Sequence, residues 1–179
     1  MPGYKTLFVY RCAVSIFDFT NIFCDRWVDK RSRTFDQIIQ AARSGKQNIA
    51  EASKEISTAS DMTLSSVSRS FYTELAEDYE DFLRLRSLPI WVKTDHRVLR
   101  IRAFRESIEY PTDLSSLANW TNLDFEKPEN FANLMLTLCH KQGYLMDQFL
   151  RAKEKNFVER GGFRENLFKK RSEFKNKLD

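Results

Sequence analysis

The densest group of side chains able to do chemistry is acidic: Glu74, Glu77, Asp78, Glu80 and Asp81 fall within eight residues. Paired carboxylates on helices hold metal pairs when they point inward and are joined by Glu-x-x-His repeats on two further helices. The only histidines are His96 and His140, and the residues three before them are Lys93 and Thr137. At helical spacing, Glu77, Glu80 and Asp81 flank Tyr79 and Phe82 instead of replacing them, so the cluster reads as a solvated acidic face. The three cysteines, Cys12, Cys24 and Cys139, lack the C-x-x-C spacing of a zinc site and are odd in number, which suits buried free thiols. Neither phosphate-cradling glycine pattern is present, and no G-x-S-x-G elbow is found. The sequence therefore offers no catalytic residue, no metal ligand and no cofactor site.

Basic residues form the second kind of candidate. Arg97, Arg100, Arg102 and Arg105 crowd one short stretch, interleaved with Val98, Leu99, Ile101 and Phe104. Such a run can grip phosphates through bidentate guanidinium contacts or pair with the acidic cluster, and the structural pairing is the reading favoured for it. The formal charge of +4 is uneven. Residues 151–179 carry 10 Lys and Arg against 5 Asp and Glu, whereas residues 1–150 are close to neutral. A basic tail attracts polyanions, and it also serves solubility.

These side chains need helices to hold them. Gly and Pro number only 5 and 4 in 179 residues, too few to punctuate many short strands. Apolar periodicity predicts long helices at about Tyr4–Val28, Thr34–Ile56 and Asp61–Leu88, and a fourth beginning at Pro128. Leu64, Val67, Phe71, Leu75, Tyr79 and Phe82 are the expected inner stripe of the third, with Ser65 and Ser68 facing elsewhere. Pro89 should end that helix. Between Pro89 and Pro128 the pattern suggests an insertion with short helices near Asp95–Glu109 and Leu114–Asn119 and a turn at Pro111. Gly161-Gly162 breaks the chain before an amphipathic tail containing Phe163, Leu167, Phe168 and Phe174. The expected fold is all-α: one domain over 1–179, an up-down four-helix bundle with an insertion at 89–127 and a C-terminal segment at 161–179.

The first helix is apolar around most of its circumference, far beyond the stripe of about 100° that one neighbour covers. One stripe holds Leu7, Tyr10, Val14, Phe17, Cys24 and Val28, and a second holds Val9, Ile16, Phe23 and Trp27. The helix must be covered on a second side, by another helix of its own chain or by a neighbouring subunit, and the second stripe is the expected oligomer interface. Arg11 and Asp18 interrupt the segment well short of the ~20 residues a membrane span needs, so no membrane is expected. No export signal is read at the N-terminus, and a cytoplasmic location follows.

The stretch from Ser32-Arg33-Thr34-Phe35-Asp36-Gln37 through Ala41-Ala42-Arg43-Ser44-Gly45-Lys46 to Gln47-Asn48-Ile49-Ala50-Glu51-Ala52 resembles the signature of bacterial four-helix bundle proteins of the 23S rRNA intervening-sequence type. The segment Gly161-Gly162-Phe163-Arg164-Glu165-Asn166-Leu167 looks like the longer subgroup with a C-terminal suffix. Where that family usually has Gly, this chain has Ala52. The resemblance implies a small non-enzymatic helical protein, often a ring-like homo-oligomer and plausibly a pentamer, that presents basic surfaces to RNA or DNA.

The leading expectation is nucleic-acid binding by an oligomer. Its contacts would be Arg33, Arg43, Lys46 and Lys54 on the outer side of the second helix, Arg97 and Arg100 in the insertion, and Lys169, Lys170 and Arg171 in the tail. The alternative is a protein-interaction scaffold in which the insertion and the tail dock a partner protein and the basic residues only solubilise.

Overall fold

A computed structural model describes residues 3–54, 58–107 and 113–175, and every described element is helical. After a short 3-10 turn at Tyr4–Thr6 come α1 (Phe8–Trp27), α2 (Arg33–Ala52), α3 (Thr58–Leu85), α4 (His96–Ala103), α5 (Leu114–Thr121), α6 (Pro128–Arg160) and α7 (Phe163–Lys175). Local chemistry sets several of the boundaries. The Ser32 hydroxyl accepts a hydrogen bond from the Phe35 N–H and caps α2, and Asp95 and Asp113 cap α4 and α5 in the same manner. Pro128 occupies the first turn of α6, where its missing N–H costs nothing.

Two boundaries differ from the periodic reading. α3 stops at Leu85, short of Leu88, because Ser87 turns left-handed at φ 52° and the Leu88 N–H closes onto the Leu83 carbonyl at 2.9 Å. This termination is normally the work of glycine, so a serine there gives little warning. α4 ends at Ala103 because Phe104 becomes extended, and the chain then carries Glu106 into the interior. The expected Ile56 end of α2, the Glu109 end of α4 and the turn at Pro111 lie outside the described residues.

Four long helices enclose the core, with α1 against α2, α2 against α3, α3 against α6 and α6 against α1. The ion pairs Arg69–Asp147 and Lys153–Asp61 run α3 and α6 antiparallel. α2 approaches α3 closely at Gly45, where a Cβ would lie 2.9 Å from the Tyr72 ring, and the Ser68 hydroxyl donates to the Gly45 carbonyl at 2.7 Å. That approach turns the first half of α3 away from the expected phase. Ser65 and Ser68 are buried while Val67 is exposed, because small side chains let two helices meet where larger ones would hold them apart.

The second covering surface of α1 belongs to the same chain. Phe23 packs its ring against Tyr79 and Phe82 of α3 and Phe131 of α6, and the Thr20 hydroxyl meets the Tyr79 hydroxyl at 2.9 Å. Gln142 of α6 donates to the Val9 carbonyl. Val9, Ile16 and Phe23 are 6, 0 and 0% exposed within one chain, so the expectation that they form an oligomer interface is corrected. Trp27, from the same stripe, is half-buried with its ring against Phe23 and Phe131. α1 is apolar on two sides because it has helices on two sides.

The segment between α3 and α6 is pinned to the body. Trp91 is buried, its N–H bonded to the Asn133 side chain and its indole N–H to Glu129. α4 packs on α6 and on α5. By contrast, none of the described side chains of α7 is buried. No helix among the described residues is long and apolar enough to cross a membrane.

Candidate nucleic-acid interface

The structure disperses the cationic residues picked out above. Arg33 sits on a groove between α2 and α3 that also holds Asp36, Glu74, Glu77, Asp78 and Asp81. Burial, reinforced by Asp81, Glu74 and Glu77, lifts the Asp78 carboxyl above its ordinary pKa. A polyanion approaching Arg33 therefore meets a concentration of negative charge. Arg43 is exposed. Lys46 of α2 lies 3.8 Å from the centroid of the Phe17 ring of α1, and Lys54, just beyond α2, lies 5.7 Å from that of Tyr4.

Arg97 is also occupied within the chain. It grips Asp95 with two nitrogens at 3.0 and 2.7 Å, lies 3.9 Å from the Trp91 ring centroid, and holds the Asp95 carboxyl down to about 2. The expected pairing of the arginine run with the acidic cluster of α3 is thus corrected: α4 lies on α6, and Arg97 finds its carboxylate two residues away. Arg100 is exposed, and its carbonyl accepts the Trp120 indole N–H. Lys169, Lys170 and Arg171 are exposed on α7.

What the fold does bring together lies elsewhere. Arg102 lies two positions after Arg100, about 200° around a helix, so Arg102 looks the opposite way. There Arg102 and Arg105 line a pocket of about 380 Å³ with Phe8 of α1 and with His140, Lys141, Tyr144 and Leu145 of α6. Among the described residues, no carboxylate pairs with Arg102 or Arg105. Lys141, in contrast, is fully engaged: its ammonium donates to the Phe104 carbonyl at 2.7 Å and to both oxygens of Glu106 at 3.0 and 3.2 Å. Among the described residues, the pocket's surplus positive charge therefore rests on the two arginines.

Its aromatic residues are equally distinctive. Tyr144 is 64% exposed, and neither Tyr144 nor Phe8 is part of the packed core. The Phe8 ring instead gathers cations, with Arg105 at 4.8 Å, Lys141 at 5.1 Å and Arg11 at 5.4 Å from its centroid. The Arg11 Nε–H is buried without an acceptor. His140 is held below the ordinary histidine pKa, first by burial and then by Lys93 and Arg102.

Sequence reasoning had the arginine run in view but not its geometry. Phe8 and Tyr144 were missed because they lie 136 positions apart in the chain, and only the packing of α1 on α6 joins them. Among the described residues, no group of three or more His, Cys, Asp or Glu side chains is placed to hold a metal ion. All three cysteines are buried and free. The chain matches no protein-family model, no curated protein and no solved structure.

Proposed function

We propose that this chain is a non-enzymatic, homo-oligomeric protein, an up-down four-helix bundle with an insertion at 89–127, that binds nucleic acid through the cationic face where α4 meets α6. The observation that carries the reading is the meeting of Arg102 and Arg105, neither paired with a described carboxylate, with Phe8 and the exposed Tyr144. Phosphates need charge that is not already spent inside the chain, and bases need aromatic surface that is not already core. Of the contacts first expected on α2, Arg33 contributes less, since it borders an acidic groove.

The test is a salt titration with RNA and DNA oligonucleotides. Binding at low ionic strength should weaken on a log–log plot by roughly 0.7 to 0.9 per phosphate neutralised. The slope should shrink in a chain carrying Arg102→Ala and Arg105→Ala. No detectable binding at ~20 mM salt would end the reading.

The exposed stripe of α7 favours a second reading. Phe163, Leu167 and Phe174 fall within about 40° of one another around the helix, and all three are exposed. In the scaffold alternative this stripe docks a partner protein. It equally offers the apolar area that self-association needs now that α1 is covered, including for the pentamer that the family resemblance implies. A solution mass above one chain that falls to one chain on removing 163–179 would assign the stripe to self-association. A single-chain mass throughout would leave it to another protein.

A further inference from the structure

The pocket between α1, α4 and α6 has features that a duplex-binding surface does not require. A duplex presents phosphates along a broad rod, and a cationic surface suffices to hold it. Here the arginines border a recess, and Tyr144 beside them is 64% exposed. An aromatic ring in that position does nothing for the core, from which it is absent. Large exposed aromatic side chains beside cations are what unpaired bases stack on.

The recess also has a suitable size. At about 380 Å³ it falls within the range of small-molecule sites and can take one base together with a phosphate, but not a base pair and its two backbones. Its floor is neutral where Lys141 meets Glu106, and its rim is positive at Arg102 and Arg105. That gradient places a phosphate at the rim and an aromatic ring inside.

We propose that this pocket seats one unstacked nucleotide of a single-stranded nucleic acid, with its base against Tyr144 and Phe8 and its phosphate on Arg102 and Arg105. The proposal rests on the nucleic-acid reading given above and narrows it to single strands. The supporting electrostatics agree: after burial, Lys93 and Arg102 lower the His140 pKa, as expected where positive charge borders the pocket.

The test compares a ten-nucleotide single strand with a duplex of the same sequence at fixed salt, on the full chain. The single strand should bind at least tenfold tighter. Tyr144→Ala should lower single-strand affinity roughly tenfold, leave the salt slope unchanged and leave duplex binding unaffected. Tyr144 is exposed, so the fold should survive, and an unchanged melting curve verifies that. Arg105→Ala should reduce the slope by roughly 0.7, the contribution of one phosphate. Adenosine monophosphate should compete at millimolar concentration, and inorganic phosphate should compete far less. Equal affinity for strand and duplex, with both weakened by the Arg102 and Arg105 substitutions, would overturn the single-strand assignment and leave the broader nucleic-acid reading intact. Equal competition by inorganic phosphate, or full single-strand affinity in Tyr144→Ala, would likewise overturn it. Absence of binding to either form would remove both readings.

Discussion

Lys141 of α6 and Glu106, just beyond α4, form an ion pair at 3.0 Å with side chains only 7 and 2% exposed. The third ammonium proton is directed to the Phe104 carbonyl. This contact fixes the path of the chain after α4, and through that path it places Arg105 on the rim of the pocket. Burying two charges is costly, and their attraction offsets that cost only while both are present.

Removing one partner should therefore be far worse than removing both. Glu106→Gln or Lys141→Met alone is expected to destabilise the fold by about 3–5 kcal/mol in urea denaturation, since each leaves a buried group uncompensated. The combined Glu106→Leu, Lys141→Met chain should recover most of that loss. A double variant as unstable as the singles would mean that the pair contributes to stability in its own right. Weaker nucleic-acid binding in the restored double variant would show that the pair serves to position Arg105.

Two helix-interior glycines should respond oppositely to alanine. At Gly45 a new Cβ would meet the Tyr72 ring at 2.9 Å, and that ring is buried, so neither helix can yield cheaply. Overpacking of this kind costs about 1–3 kcal/mol, which outweighs the helix propensity alanine brings. Around Gly143 nothing lies within 4 Å of the added atom. Gly143→Ala should gain up to about 1 kcal/mol, and Gly45→Ala should show a net loss of up to about 2 kcal/mol. Thermal melts of the two single variants check both signs.

That contrast indicates how far the sequence reaches. Ser32, Pro128 and Gly161-Gly162 announce helix ends by known chemistry, and the long helices lie close to where periodicity puts them. The phase of α3 does not follow from hydrophobicity, because Ser65 and Ser68 are buried for being small. The girth of apolar surface on α1 correctly signals a second neighbour but cannot say whose. Both α6 and a subunit would satisfy it, and α6 lies a hundred residues further along the chain. For the candidate site, residue type reveals which side chains are cationic. Whether a charge is free depends on partners such as Asp95 for Arg97, which only coordinates disclose.

The cysteines should be inert in the folded protein. Burial pushes the Cys24 thiol up to about 12 and raises Cys12 and Cys139 as well, with Glu106 adding to the effect at Cys12. Thiolate is the reactive form, so an aromatic disulfide reagent at pH 8 should label none of the three until denaturant is added. Prompt labelling of any one under native conditions would place that residue at a locally opening segment.

His140 links the pocket to pH. Burial lowers its pKa from 6.5, Lys93 and Arg102 lower it further, and Glu80 opposes them. Because the folded chain binds this proton less readily than the unfolded one, the histidine's contribution to stability is full above pH 6.5 and declines as pH falls through that value. Ligand binding runs the other way. A phosphate held by Arg102 offsets the repulsion and raises the His140 pKa, so binding takes up a proton between the free and bound values. Nucleic-acid affinity should accordingly increase as pH is lowered at constant ionic strength, by up to about tenfold per unit over the interval between the free and bound pKa values. In His140→Asn the dependence should flatten while the salt slope stays as it was. Histidine resonances followed by NMR, with and without oligonucleotide, supply the two pKa values directly. An identical titration in both samples would separate His140 from the bound phosphate and move the ligand out of this pocket.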